Sequence, residues 1–251
     1  MSREHLEGRS VLVTGGGSGI GRGIALAFAD AGARVTIAGR REDALADTVA
    51  LRPGITACAG DITSPADVTR IVEAASGPEG ELDVLVNNAG RMDLMELAEC
   101  DPDRVRALFS TNIVGTTQVT QAALPALRAR KGLVVNVTNA LAASRKGATT
   151  GAGFLTAGKA ALDSLTRTWA YELAPDIRVN AVAPGMVRSW EGDGHVSSEV
   201  MEYLEEASQK ALRRRIGAPA DIAYWVLALA DPAAEWTTGQ TIVLDGGLNV
   251  A

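Results

Sequence analysis

The sequence predicts one α/β domain built on a doubly wound parallel sheet, about seven strands with helices on both faces. Three observations predict it. Short β-branched runs alternate with longer segments of helical period along the chain, the pattern of a parallel sheet covered on two sides. The 251 residues suit a single unit of this class. No internal repeat, low-complexity tract or proline-rich linker divides them, so residues 1–251 read as one domain.

Element by element, Ser10–Thr14 reads as a first strand and Ile20–Ala31 as the helix after it. Arg34–Ala38 is a second strand and Ile55–Cys58 a third. A helix with Val68, Ile71, Val72 and Ala75 on one side leads to a fourth strand, Leu82–Val86. From about Asp103 to Arg128 the spacing of Val105, Leu108, Phe109, Asn112, Ile113, Thr116 and Val119 predicts one long helix. Leu133–Val137 is a fifth strand, Ala157–Leu173 a helix closed by Pro175, Ile177–Val182 a sixth strand and Thr241–Leu244 a seventh. Residues 186–215 break the rhythm, with no strand and a polar helix from about Ser197. An excursion there, after a parallel strand, fits a lid over a ligand. It also fits a solvated insertion.

Bulk properties exclude more than they assign. A net charge of −6 argues against nucleic acid or an anionic membrane as main partner, and leaves a small molecule. Two cysteines and two histidines, without ligand spacing, predict no metal site. Cys58 ends an apolar run and reads as a core thiol. The first residues carry charges but no apolar signal region, and no long apolar run spans a membrane, so a cytoplasmic location is expected.

Chemistry enters at Thr14-Gly15-Gly16-Gly17-Ser18-Gly19-Ile20-Gly21. A glycine-rich turn between a first strand and a helix lets backbone N–H groups approach a pyrophosphate, and the helix N-terminus adds partial positive charge. Such a turn in a doubly wound sheet is Rossmann-type, although the glycine triplet alone also fits a bare turn. The second strand leads into Ala38-Gly39-Arg40-Arg41. An acidic side chain there would take a ribose 2′-hydroxyl, whereas an arginine suits a 2′-phosphate. Gly39 and Arg40 therefore predict NADP(H), unless Arg40 and Arg41 merely open an exposed helix.

Further pieces follow in order: Asp61 after strand three, Asn87-Asn88-Ala89-Gly90 after strand four, and Asn112 in the long helix. Arg178-Val-Asn-Ala-Val-Ala-Pro184-Gly185 and Gly239-Gln-Thr-Ile-Val-Leu-Asp-Gly-Gly247 complete the set. With Thr14–Gly21 they resemble the short-chain dehydrogenase/reductase family over nearly the whole chain. The resemblance implies roles. Gly15, Gly17, Ser18, Gly19, Ile20, Gly21 and Arg40 would hold the nucleotide phosphates. Asp61 and Ile62 would contact the adenine, and Asn88, Ala89 and Gly90 would line the adenosine side. Pro184, Gly185 and Val187 would lie along the nicotinamide, with Ser189 near the phosphates. Lys159 would bond the nicotinamide ribose, and Asn112 would hold a water in a proton relay. It also implies a dimer or homotetramer, with Ala218–Gly247 as the segment that packs between subunits.

Two positions depart from the family pattern. A tyrosine, the general acid, belongs four residues before Lys159, where this chain has Leu155. A serine belongs where it has Asn139. Losing a general acid costs about 10²–10⁴ in rate, or roughly 3–5 kcal/mol. Asn139 could still donate a hydrogen bond to a substrate oxygen. Hydride transfer to an iminium ion, an enone or a similarly activated carbonyl survives that loss, which makes an NADPH-dependent reductase with a non-standard site the first reading. His195 and Tyr203, in the lid, are candidate substitute donors. A non-redox cyclase, isomerase or lyase, or a silent NADP(H)-binding sensor, stays open. Arg91, Met92, Met95, Met186 and Trp190 point to a partly apolar pocket, or to packing alone.

Overall fold

The computed structural model of the chain describes residues 6–143, 149–188, 205–206 and 208–250. Its β-branched runs form strands β1 (Ser10–Thr14), β2 (Arg34–Gly39), β3 (Ile55–Ala59), β4 (Val84–Asn87), β5 (Leu133–Val137), β6 (Arg178–Pro184) and β7 (Thr241–Leu244). Among the described residues they make one seven-stranded sheet in the order β3-β2-β1-β4-β5-β6-β7. Every pairing is parallel. All residues of β1 and β5 are buried, as a sheet covered on both faces requires.

Alternation sorts the side chains into two layers. Val11 and Val13 of β1 join one core and Leu12 the other. Helices α1 (Gly19–Asp30), α2 (Glu42–Leu51) and α8 (Pro219–Ala230) cover the first face. There Ile24 and Phe28 share a cluster with Leu45, Ile222, Val226 and Leu229. Helices α3 (Pro65–Ala75), α5 (Thr116–Arg130) and α7 (Gly153–Leu173) cover the second. Val68, Ile71, Val72 and Ala75 all bury there, with Cys58 among them. Helix α3 starts where the pattern of residues dictates: Ser64 Oγ accepts from Asp67 N at 3.4 Å, and Pro65 follows at the first helical position.

The single helix expected over 103–128 is interrupted. It divides into α4 (Pro102–Phe109), a π-helical turn (Ser110–Gly115) and α5. Close packing accompanies the interruption: a Cβ on Gly115 would meet Ile62 Cγ1 at 2.8 Å, and Asn112 is fully buried. Single π-turns of this kind gather at functional sites. Helix α8, not read from the sequence, packs tightly on α1, since a Cβ on Gly23 would lie 2.5 Å from Pro219 Cβ. Its N-terminus is held by Asp221, whose carboxylate accepts from Ala218 N and from both terminal nitrogens of Arg215, each at 2.7 Å.

Strand β1 lies between β2 and β4, so the chain winds away from it in both directions. This order opens a crevice at the C-terminal ends of β1 and β4. Beyond β6, Val187 and Gly217 form a parallel bridge, with Arg188 N donating to Gly217 O at 2.9 Å. That bridge pins the two ends of the excursion. Ser189, Trp190, His195 and Tyr203, and the start expected for the polar helix, lie outside the described residues. Among the described residues no helix is long and apolar enough to cross a membrane.

Candidate functional site

At the β1–α1 turn, Gly15 has φ +68 and its missing side chain leaves room for Asn88 and Ala89. A Cβ on Gly21 would run into the Gly15 carbonyl and the Asn88 amide. Glycine is thus required at both places by close backbone approach. Asn88 Nδ2 donates to Thr14 O at 2.9 Å and Gly15 O at 3.2 Å. Thr14 Oγ1 accepts from Asn88 N and Ala89 N, each at 3.0 Å. Thr14, which opens the glycine segment, locks the turn onto the end of β4, a role the sequence reading did not assign to it.

The turn forms one wall of a cleft of about 430 Å³. Gly15, Gly17, Ser18, Gly19, Ile20, Gly21, Arg40, Asp61, Ile62, Asn88, Ala89 and Gly90 line it. Arg41, Ala44, Leu45, Met92 and Thr111 line it too. The first turn of α1 carries no acidic side chain to oppose its positive end. Gly39 ends β2 without a carboxylate. Arg40 Nη1 lies 4.0 Å from Asp61 Oδ2, and Arg41 Nη2 donates to Ser18 Oγ at 3.4 Å. Asp61 is itself oriented, its Oδ1 accepting from Thr63 N at 2.9 Å and Thr63 Oγ1 at 2.8 Å.

Deeper in, Lys159 on α7 is buried and its Nζ donates to Val137 O at the end of β5, at 2.8 Å. A Cβ on Gly90 would stand 3.4 Å from that Nζ and 3.2 Å from Asn112 Oδ1, so the three residues meet. Asn112 Oδ1 accepts from Arg91 N at 2.7 Å and its Nδ2 donates to Arg91 O at 3.0 Å. Its side chain therefore shapes the loop after β4. Burial lowers the Lys159 ammonium to about 8, and Asp163 one turn further along α7 works against that shift. Burial likewise pushes the Asp163 carboxyl up, against hydrogen bonds from Thr138 and Thr241 and the charges of Arg167 and Lys159.

Pro184, Gly185 and Val187 continue from β6 along the same end of the sheet. Gly185 N donates to Leu244 O at 2.9 Å, and a Cβ there would strike Asp245 Cβ at 2.6 Å. Asn139 Oδ1 accepts from Leu141 N at 2.7 Å, capping the short helix α6 (Ala140–Ala143). Leu155 is buried at 6% exposure with Leu108 and Met95, and Phe154, Phe109, Val105 and Cys100 pack around them. Of the two readings open for Met95, pocket or packing, it takes packing: it belongs to this apolar cluster, and Met95 N donates to Gly151 O at 2.8 Å.

These features have counterparts in known proteins. A family model described as enoyl-(acyl carrier protein) reductase matches residues 15–249. The 3-oxoacyl-[acyl-carrier-protein] reductase of Thermotoga maritima is 35% identical over 97% of this chain and 98% of its own. The peroxisomal 2,4-dienoyl-CoA reductase [(3E)-enoyl-CoA-producing] of Arabidopsis thaliana is 35% identical over 97% of this chain and 85% of its own. Among solved structures, a short-chain dehydrogenase/reductase of glucose/ribitol dehydrogenase type from Brucella melitensis superposes with a TM-score of 0.89, at 31% identity and 98% coverage of both chains. A 3-ketoacyl-(acyl-carrier-protein) reductase from the same organism, complexed with NADH, gives 0.87 at 29% identity, covering 98% of this chain and all of its own. The chain belongs to the short-chain dehydrogenase/reductase family of oxidoreductases, whose members bind a nicotinamide cofactor.

Proposed function

We propose that this protein is an NADPH-dependent reductase with a non-standard active site, acting on a small activated acceptor of iminium, conjugated enone or activated carbonyl type. The observation that carries the reading is the pair Leu155 and Lys159. The lysine keeps its place beside Gly90 and Asn112, while the position one turn earlier holds a hydrocarbon packed on Leu108 and Met95. The names of the matched family model and of the Arabidopsis relative, an enoyl and a dienoyl reductase, agree with a conjugated acceptor.

The cleft fits the cofactor. Cβ-free approach at Gly15 and Gly21 gives backbone N–H groups access to a pyrophosphate, and the N-terminus of α1 favours its charge. Arg40, Arg41 and Ser18 offer donors for a 2′-phosphate, with no carboxylate at Gly39 to repel it. Asp61 and Ile62 would take the adenine, and Asn88, Ala89 and Gly90 the adenosine side. Pro184, Gly185, Val187 and Ser189 would flank the nicotinamide and phosphates, and Lys159 would hold its ribose. When bound, the reduced nucleotide supplies hydride. Asn139 would orient the substrate oxygen through its amide, and Asn112 would hold a water near Lys159. Residues 186–215 would close over the substrate, with His195 and Tyr203 as donors within that lid. A second copy would pack on α8 and β7, where Tyr224, Trp225 and Val243 are 58%, 40% and 41% exposed.

The test is NADPH oxidation, followed by nicotinamide absorbance, with three acceptor panels: iminium ions, conjugated enones or enoyl thioesters, and plain ketones. Turnover of the first two over the third is expected. Product formation without nucleotide oxidation would instead establish non-redox catalysis, and nucleotide binding with no turnover anywhere would leave a sensor.

A further inference from the structure

We propose that Asn249 is a positioning residue for the acceptor: through the Ala140 carbonyl it holds α6 in place, and with α6 its neighbour Asn139. This rests on the reductase reading above, in which Asn139 orients a substrate oxygen.

The turn that follows β7 is built to present this side chain. Asp245 gathers the backbone around its own carboxylate, Oδ1 accepting from Gly247 N at 2.9 Å and Oδ2 from Asn249 N at 2.8 Å. Its carbonyl takes Leu248 N at 3.2 Å. One acidic residue thus fixes where Asn249 stands. From there Asn249 Nδ2 donates to Ala140 O at 2.8 Å, across 109 residues of sequence. Ala140 is buried and opens α6.

Helix α6 needs that hold. It has four residues, and so short a helix does not keep its own place. Asn139 moves with it as a unit, because Leu141 N donates to Asn139 Oδ1 at 2.7 Å and Ala142 N to Asn139 O at 3.0 Å. Asn139 is also joined to Ala140 by the peptide bond. A shift of the Ala140 carbonyl is therefore a shift of the Asn139 amide.

The same turn grips two further segments. Gly185, just past β6, approaches so closely that a Cβ there would lie 2.6 Å from Asp245 Cβ. Gly246 O accepts from Arg213 N at 3.0 Å, and Gly247, at φ +86, leaves the place of its side chain to Leu212, whose Cδ1 would be 2.8 Å from a Cβ. One turn thus joins α6, the end of β6 and the returning end of the excursion 186–215. Those are the segments that the reductase reading gives to the nicotinamide and the acceptor. The glycine turn after β1 is held by a different set, Thr14 and Asn88. Loosening Asn249 should therefore disturb the acceptor and spare the nucleotide.

Asn249→Ala, Asn139→Ala and the double variant test this. In amide hydrogen exchange, Asn249→Ala should speed Leu141 and Ala142 about tenfold and leave β1 and the glycine turn at wild-type rates. NADPH affinity should stay at the wild-type value. In turnover, the ratio of kcat/KM on a conjugated enone to that on an iminium ion should fall about tenfold, since the iminium offers Asn139 no oxygen. Once Asn139 is alanine, Asn249→Ala should cost the enone nothing more, because the two residues act as one unit. If Asn249→Ala does not fold, Asn249→Asp, which keeps the shape and removes the donor, takes its place in every comparison. Unmoved exchange at Leu141, equal loss on both acceptors, or additive losses in the double variant would overturn the proposal. A wild type that oxidises no NADPH counts against the reductase reading, and exchange at Leu141 then decides whether Asn249 holds α6.

Discussion

Leu155 packs against Leu108 while Lys159, one helical turn later, donates to the Val137 carbonyl at 2.8 Å. Adjacent turns of α7 thus serve opposite ends. One closes an apolar cluster under the loop after β4, and the other carries a charge to the end of β5, beside Gly90. This division separates packing from chemistry, so variants at the two positions should behave differently.

Truncating the packing side should cost stability alone. Leu155→Ala leaves a cavity beside Met95 and Leu108 and should destabilise the protein by about 2–5 kcal/mol. Nucleotide affinity should stay at the wild-type value. Urea denaturation with calorimetry on the same sample checks both. Leu155→Tyr returns a phenol one turn before Lys159 and should raise plain ketone reduction by about 10²–10⁴-fold. A folded, nucleotide-binding Leu155→Tyr without ketone turnover would mean that Asn139 does not orient a carbonyl.

Lys159 should write its burial into the pH dependence of stability. Its folded value of about 8 lies below the ordinary 10.5, so between these the unfolded chain binds more protons. Stability should therefore rise with pH across that window, by about 3 kcal/mol in all. Lys159→Met should remove this slope. Asp163 works in the other sense: its raised carboxyl gives stability that is fully present below 3.8 and lost as pH rises through its folded value. Asp163→Asn should flatten the acid side. Equal slopes in wild type and variants would show that neither group is desolvated.

The arginines after β2 should set the choice of nucleotide. Charge-assisted bonds are worth about 1.5–3 kcal/mol each, or roughly 10- to 100-fold in affinity. Arg40→Ser with Arg41→Ser should weaken NADPH by at least about that range and leave NADH nearly unchanged. Competition binding of the two nucleotides measures the ratio directly.

Closing the glycine turn should abolish binding. The Cβ of Gly21→Ala would run into the Gly15 carbonyl, and its displacement should cost about 1–3 kcal/mol of stability. Nucleotide affinity should fall more than tenfold. Thermal melting with and without NADPH separates the two losses, since the ligand-induced rise in Tm should vanish.

Much of this was legible in the chain. Strand positions followed from β-branched runs, and the layers from alternation, as Val11, Leu12 and Val13 show. The cleft residues from Gly15 to Gly90 were readable because backbone approach demands glycine at fixed places. Other features depend on partners far away in sequence. The π-turn at Ser110–Gly115 answers to Ile62, and Thr14 matters only because Asn88 reaches it. For Met95 the sequence leaves pocket and packing both open, because its backbone bond to Gly151 is invisible to periodicity. Asp163 could have been found from its spacing of four after Lys159, but its hydroxyl partners, Thr138 and Thr241, come from two other strand ends.

Isothermal titration calorimetry of the purified protein with NADPH and with NADH bears most directly on the cleft as a site for a 2′-phosphorylated nicotinamide nucleotide. Saturable uptake of NADPH, at least tenfold tighter than NADH and weakened in the Arg40→Ser, Arg41→Ser double variant, is the expected result. Heat from neither nucleotide, or tighter binding of NADH, would contradict it.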